Sequence, residues 1–345
     1  MRAAAAAVLL AAVLAASSSR AAHAQVSVAV QLNADGEALA SQLGITSQDL
    51  ASRIQDRVND AYDAQNVAGF IRSFTDATSF STRGLGVDYA SLPKNLILGV
   101  GANFAVAASG DFNADERPTA GLAANVSFMA GMNLADYDAP RWTLFANGFY
   151  RKATLNSLRG GITTAGLHAQ YRLLQPQRDE GVTTQVLRWT GMDITSGLEF
   201  TRWNLGVDDD IETPFGVDGT SGGANLLLQS TGTFDLSSTA MTVPVEVSTG
   251  IRIALLVSVY IGAGVDFTAS SGKLTTNLAG DLLTEDNRNI GTTTITGGGN
   301  NSGSPVAARV MAGAQLNIWK LRAYVQLNAS ATPAASIGAG IRGVL

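Results

Sequence analysis

Between Val243 and Phe267 the chain alternates apolar and polar residues across one short turn, and this pattern limits the possible folds more than any other stretch. Val243, Val245, Val247, Thr249, Ile251 and Ile253 occupy one phase, and Val257, Val259, Ile261, Ala263, Val265 and Phe267 continue it after the turn at Leu255 and Leu256. The opposite phase holds Glu246, Ser248, Gly250, Arg252, Ser258, Tyr260, Gly262, Gly264 and Asp266. A period of two belongs to a β-strand, whose successive side chains point to opposite faces. One face of this hairpin is therefore apolar, and the other is charged or glycine-rich. In a soluble sandwich the apolar face meets a second sheet; in an outer-membrane barrel it meets lipid.

The rest of the chain favours lipid. Arg2, the apolar run from Ala3 to Ala16 and the small-x-small triplet Ala22, His23, Ala24 read as a secretory signal cleaved before Gln25. That run is too short to span a bilayer, and no other window holds the roughly 18 uninterrupted apolar residues of a transmembrane helix. The chain has no cysteine, which excludes disulfides, thiolate metal sites, catalytic thiols and a lipidated cysteine. Its net charge of −5 becomes more negative once Arg2 and Arg20 leave with the signal, a sign that disfavours nucleic acid and anionic headgroups as partners. Charged residues make up only 15%, with 37 glycines. Such a composition follows when apolar residues are spread over alternate positions of many strands, although a soluble sandwich shares it.

Residues 1–24 thus read as signal, 25–94 as an amino-terminal segment and 95–345 as the barrel. Val26, Val28, Val30 and Leu32 alternate in a short strand that stops at the turn sequence Asn33, Ala34, Asp35, Gly36. A helix opens at Thr46 or Ser47, with Leu50, Ile54, Val58 and Tyr62 on one stripe and Asp49, Arg53, Asp56, Arg57 and Asp60 around the other side. Val67, Phe70, Ile71 and Phe74 extend it to the polar run from Thr75 to Arg83. Its apolar stripe needs a cover. The expected place is the periplasmic mouth with partial plugging, because a twelve-stranded lumen is narrow for a helix about 10 Å across.

From Asn95 onward, strand periodicity covers about 95–106, 121–134, 141–151, 162–174, 184–203, 224–236, 243–253, 257–267, 306–318, 321–331 and 335–345. Bacterial barrels have an even strand number, tight periplasmic turns and long outer loops. Counting back from a periplasmic carboxyl terminus puts the turns near Trp319 and Leu255 inside and the glycine-rich stretch Ala269 to Ser304 outside. Counting forward from Asn95 puts Asp136 to Pro140 inside and Gly110 to Arg117 outside. The two counts differ by one crossing between about residues 184 and 243. The expectation is an all-β transmembrane antiparallel β-barrel of about 12 strands, within roughly 10 to 14. Trp142, Tyr150, Tyr171, Trp189, Trp203, Phe267 and Trp319 lie near strand ends, where a bilayer has its two interfaces.

The signal, the amphipathic helix, the alternating strands and the terminal run Ile337, Ala339, Ile341, Gly343, Leu345 together resemble the broad class of bacterial outer-membrane β-barrel proteins, over residues 1–25 and 95–345. A segment ahead of the barrel is also similar in layout to the plugged transporters of hydrophobic compounds, of the long-chain fatty acid type. The resemblance implies an outer-membrane bilayer as surroundings, insertion by the barrel-assembly machinery and a small-molecule solute.

In the strands Asp193, Glu199, Glu246, Arg252, Asp266, Arg309, Arg322 and Arg342 take the polar phase, as does His168. These are the candidate lumen-lining residues. Opposite charges across a lumen either brace the wall or set the selectivity of a pore. His168 is the sole histidine after the signal. A barrel hydrolase would need it beside a nucleophile and an orienting group, and the sequence shows neither, so a lumen histidine bonded to its neighbours is expected. The acidic run from Val207 to Glu212 lacks the spacing and glycine of a calcium loop and reads as a solvated loop. Gly297 to Gly303, with no following Lys-Ser/Thr or helix, reads as a flexible external loop rather than a phosphate cradle. No catalytic, cofactor-binding or metal-ligating residue is assigned, and no cofactor is expected.

The function expected is passive transport of a small solute, hydrophobic solutes included, with selectivity set by the lumen charges and the amino-terminal segment. The alternative is a non-conducting structural or surface-recognition barrel acting through residues 204–223 and 269–304. A lipid-modifying hydrolase using His168 is the third class.

Overall fold

The computed structural model describes residues 23–63, 66–90, 96–109, 119–176 and 186–345. Its strands are β1 (His23–Leu32), β2 (Leu96–Ser109), β3 (Thr119–Leu134), β4 (Ala139–Leu155), β5 (Leu158–Leu174), β6 (Leu187–Asp218), β7 (Gly223–Ile253), β8 (Val257–Thr284), β9 (Asn289–Asn301), β10 (Val306–Ile318), β11 (Leu321–Ser330) and β12 (Ala334–Val344). Three helices, α1 (Ala34–Gln42), α2 (Ser47–Asp63) and α3 (Val67–Phe80), separate β1 from β2. All twelve strands form one antiparallel sheet. Strands β2 to β8 pair in order, β8 pairs with β10, and β10, β11 and β12 lead back to β2, which closes a ring of ten. The seam runs from Ala334 opposite Ala107 to Val344 opposite Ile97.

The other two strands stand outside the ring. Strand β10 occupies β8 from Val257 to Phe267, and β9 takes over from Gly272 to Leu283. Strand β1 then pairs along β9 from His23 opposite Asn300 to Leu32 opposite Gly291. Strands β6, β7 and β8 run for 32, 31 and 28 residues, while β4 and β5 run for 17. One side of the wall therefore rises above the ring as a five-stranded sheet, β6-β7-β8-β9-β1.

The polarity of each face shows what surrounds each zone. The register of β7 on β8 is unbroken from Leu226 to Ile253, so even-numbered residues of β7 point inward throughout. In the ring half these are Ser238, Thr242, Glu246 and Ser248, all buried, while Met241, Val245, Val247 and Ile251 are exposed on the outside. In the upper half the assignment reverses: Leu226, Leu228 and Leu236 are buried, and Gln229, Thr231 and Asp235 are exposed. Strand β8 behaves alike, with Val257, Val259 and Ile261 exposed below and Leu282 buried above. Exposed apolar side chains around a ring suit hydrocarbon, and exposed polar ones suit water. The exchange of faces marks where the wall leaves the membrane zone.

Twelve strands are present, as expected, but the exchange changes how the chain is divided among them. The runs at 224–236 and 243–253 belong to the single strand β7, and the acidic run from Val207 to Glu212 continues β6 instead of forming a loop. No additional crossing lies among the described residues of that interval. The stretch from Ala269 to Ser304, expected as an external loop, supplies the upper part of β8 and all of β9, with Gly297 to Asn301 inside that strand. The expected outer loop at Gly110 to Arg117 lies outside the described residues.

The helices also differ from expectation. Asn33 begins α1 instead of a turn, its side-chain oxygen accepting from Asp35 N and Gly36 N at 2.9 and 3.1 Å. Thr46 and Asp49 cap α2 reciprocally. The Thr46 hydroxyl accepts from Asp49 N at 3.1 Å, while the Asp49 carboxylate accepts from the Thr46 hydroxyl at 2.7 Å and from Thr46 N at 3.2 Å, and these last two bonds hold the Asp49 carboxyl below its ordinary value. Leu39 and Ala40 of α1, Leu43 at its carboxyl-terminal cap, and Leu50 and Ile54 of α2 pack against Val28, Val217, Leu226, Leu228, Leu282, Ile290 and Ile295 on the inner face of the tall sheet. Ser221 N, in the β6–β7 turn, donates to Leu43 O at 3.0 Å. The expected cover was the mouth that carries the barrel's own termini, where Leu96 and Leu345 exchange backbone hydrogen bonds. The helices lie at the opposite end because the apolar surface that can cover them is there.

A charge on one face of β7 tests the exchange. Val247→Arg is expected to lower stability in lipid vesicles by about 2–4 kcal/mol, and Thr233→Arg, on the same outward face but above the exchange, by less than about 0.5 kcal/mol. Urea unfolding of both variants checks this, and equal losses would refute the placement of the membrane zone.

Candidate functional site: the plugged lumen

Helix α3 enters the ring from the end where α1 and α2 sit. Its cap, Asn66, accepts from Gly69 N at 3.0 Å. Its small residues let it lie against the wall: Ser109 Oγ donates to Gly69 O at 2.7 Å, and Ser73 Oγ donates to Ser109 Oγ at 2.9 Å. A Cβ at Gly121 would lie 2.2 Å from Phe74 N, so only glycine admits the helix there. Asp76 accepts from Ser304 N at 2.6 Å and Ser304 Oγ at 3.0 Å, tying α3 to the β9–β10 connection. Burial pushes the Asp76 carboxyl up against the opposing pull of these bonds.

Residues 81–90 then descend the lumen, and charge fixes them. Arg83 Nη1 lies 2.7 Å from Glu199 and Arg83 Nε 3.1 Å from Asp266. Arg309 Nε is 3.1 Å from the same Asp266, and Arg309 Nη2 pairs with Glu246. Tyr89 donates its hydroxyl to Glu246 at 2.6 Å. The result is one chain, Glu199, Arg83, Asp266, Arg309, Glu246, Tyr89, that passes three times between wall and plug. Farther down, Arg342 Nη1 is 3.2 Å from Asp88, Arg342 Nη2 donates to Val87 O at 2.7 Å, and its guanidinium lies 3.7 Å over the Tyr324 ring. Asn103 Nδ2 donates to Arg83 O at 2.8 Å. Gly84, at φ +82°, and Gly86 let the backbone run close to the wall; a Cβ on Gly86 would stand 2.5 Å from Asn147 Oδ1 and 2.6 Å from His168 Nε2.

Of the expected lumen residues, Glu199, Glu246, Asp266, Arg309, Arg342 and His168 are buried around this segment. His168 Nε2 lies 3.3 Å from Asn147 Oδ1 and 3.6 Å from Glu199 Oε1. Asp193 is buried against Arg172 at 3.1 Å. Arg252 is half-buried, with Nε 3.4 Å from Ser258 Oγ and Nη2 3.5 Å from Ala90 O. Arg322 departs from the group: it folds onto the β10–β11 turn and donates to Trp319 O and, at 2.9 Å, to Leu321 O. Sequence reasoning missed Arg83, Asp88 and Tyr89. The available signal was two charges and two glycines in a short aperiodic stretch between a helix and a strand.

A ring with a charged interior and an apolar exterior, closed by a segment of its own chain, has the architecture of the outer-membrane β-barrel class. The chain belongs to the Lsa36-like family, whose model matches residues 21–344. Comparison with curated proteins finds no match. Among solved structures, the chain is similar to the outer membrane protease OmpT from Escherichia coli, at 8% identity over 73% of this chain and 97% of that one, with a TM-score of 0.38. The translocator domain of the autotransporter NalP from Neisseria meningitidis follows at 10% identity, 78% and 93% coverage and 0.32. The toluene transporter TbuX of Ralstonia pickettii stands at 8% identity, 79% and 98% coverage and 0.27.

Removing one partner from a buried charge network strands the others, whereas an exposed pair contributes little. Arg309→Ala, which leaves Glu246 and Asp266 short of a cation, is expected to cost about 3–5 kcal/mol. Arg159→Ala, at the exposed pairs with Asp208 and Asp235, is expected to cost less than about 1 kcal/mol. Denaturation in detergent compares the two.

Proposed function

We propose that this protein is an outer-membrane barrel, closed at rest, whose outer end engages a partner outside the cell. The observation that carries this reading is the segment 81–90, held inside the ring by Glu199, Asp266, Glu246 and Arg342. Barrels of this class keep short turns on the periplasmic side. The turns at Ala135–Asp138, Ala254–Leu256 and Trp319–Lys320 share the end that holds Leu96 and Leu345. The tall sheet and α1 and α2 then face outward. Their exterior carries Asp208, Asp210, Glu212, Asp235 and Asp281, all exposed, on a paired strand framework rather than on loops. At the tip, a concavity of about 420 Å³ is lined by Pro214, Phe215, Asn225, Leu227 and Glu285 among others. Insertion through the barrel-assembly machinery belongs to this reading, and no catalytic step is assigned to His168.

Passive passage of a small solute is the second reading. It is favoured by the way the plug is held, by ion pairs and hydrogen bonds that break without cutting a covalent bond. Planar bilayers separate the two. The intact protein is expected to insert without conductance steps, and the double variant Arg83→Ala, Asp88→Ala to open. Steady conductance from the intact protein would favour the transport reading over the closed one.

A further inference from the structure

We infer that the amino-terminal segment reaches the outside through the interior of its own barrel, so that the ring is a conduit for residues 26–80 before residues 81–90 close it. This rests on the membrane orientation proposed above.

The path of the chain carries the argument. Strand β1 and helices α1 and α2 lie on the tall sheet, α3 fills the far mouth, and residues 81–90 descend inside the wall to Ala90, next to Arg252 near the opposite end. Strand β2 then starts at Leu96, hydrogen-bonded to Leu345. The first and last strands of the ring thus begin and end at one mouth, while the described residues before 81 lie at or beyond the other. The segment has no means of crossing lipid unaided. No helix among the described residues is long and apolar enough to span a membrane, and α2 carries Asp49, Arg53, Asp56, Arg57 and Asp60. A polar route exists inside the ring, whose wall presents Ser127, Thr164, Thr195, Thr201 and Ser248.

The same contacts give the passage a direction. Among the described residues, the apolar stripe formed by Leu39, Leu43, Leu50 and Ile54 finds its partners on the upper sheet, at Val217, Leu226, Leu228, Leu282 and Ile290. The ladder from β1 to β9 also forms only there. Inside the ring the apolar wall residues Ile97, Met129, Phe145 and Met311 are covered by Val87, Tyr89 and Ala90, and the remaining wall is largely hydroxyls and charges, which offer the stripe of α1 and α2 little burial. Folding therefore takes place at the exit and draws the chain outward. Arg83 and Asp88 arrive last and pair with the wall. The absence of cysteine leaves the passing segment free of cross-links.

The same absence makes single-cysteine labelling direct. Gln55→Cys on the exposed side of α2 and Lys320→Cys in the β10–β11 turn are treated with a membrane-impermeant maleimide on intact cells. Gln55→Cys is expected to be labelled, and Lys320→Cys only after the outer membrane is permeabilised; the reverse pattern overturns the inference. Recovery of both variants as soluble protein, without a heat-modifiable band, would instead remove the membrane reading on which the inference rests. The route is tested by fusing, ahead of residue 26 of the Gln55→Cys variant, either a stably folded domain or a destabilised, unfolded version of that domain. The folded fusion is expected to reduce surface labelling at least tenfold relative to the unfolded one. Equal labelling of the two, or labelling of neither, overturns the conduit.

Discussion

Lipid cannot hydrogen-bond a peptide group, and most of this structure follows from that fact. A sheet in hydrocarbon must satisfy every backbone donor and acceptor within itself, so its edges have to meet. Here they meet at the β12–β2 seam, between strands at opposite ends of the barrel sequence. Closing the ring turns one face of every strand inward, where polar side chains predominate around a small apolar cluster of Ile97, Met129, Phe145 and Met311 on the plug, and the outward face takes most of the apolar side chains instead. Above the ring, water replaces lipid and the requirement reverses. The tall sheet does not close; it covers its apolar inner face with α1 and α2.

The interior follows from the same closure. A polar lumen lined by buried Glu199, Glu246, Asp266 and Arg309 is costly unless each charge finds a partner. Among these residues the wall's Arg309 reaches only Glu246 and Asp266, and the plug provides Arg83 to Glu199 and to Asp266. At Arg342 the exchange runs the other way, the wall offering the cation and the plug offering Asp88. Wall and plug are each other's counter-ions, so the closed barrel is one electrostatic unit rather than a tube with a stopper.

What the sequence made legible depended on whether a face kept one solvent along its length. The hairpin from Val243 to Phe267 stays in the membrane zone, and its phase is constant, so it reads without error. Strand β7 as a whole changes surroundings near Leu236, its apolar residues change phase, and periodicity splits one strand into two. Helix α3 shows the same effect in another form. Its polar run, with Ser73, Thr75 and Thr78, is buried in a polar lumen, so a search for an apolar stripe loses it after Phe74. Glu199, Glu246, Asp266 and Arg309 were visible as a set because strands repeat. Arg83 and Asp88 were not, because no period organises residues 81–90. Thr292, Thr294 and Thr296 gave β9 an exterior without charge or bulk, and glycine at 297–299 hid the rest.

The exchange of faces on β6, β7 and β8 also acts as a ruler. A rise of the barrel by two residues along β7 would carry Met241 into water, and a fall by a few would carry Asp235 into hydrocarbon. Both are uphill, on neighbouring strands at once. The height of the outer platform above the membrane is thus written into the side chains, and the molecule has no freedom to work as a piston. Whatever contacts its tip does so at a fixed distance from the lipid.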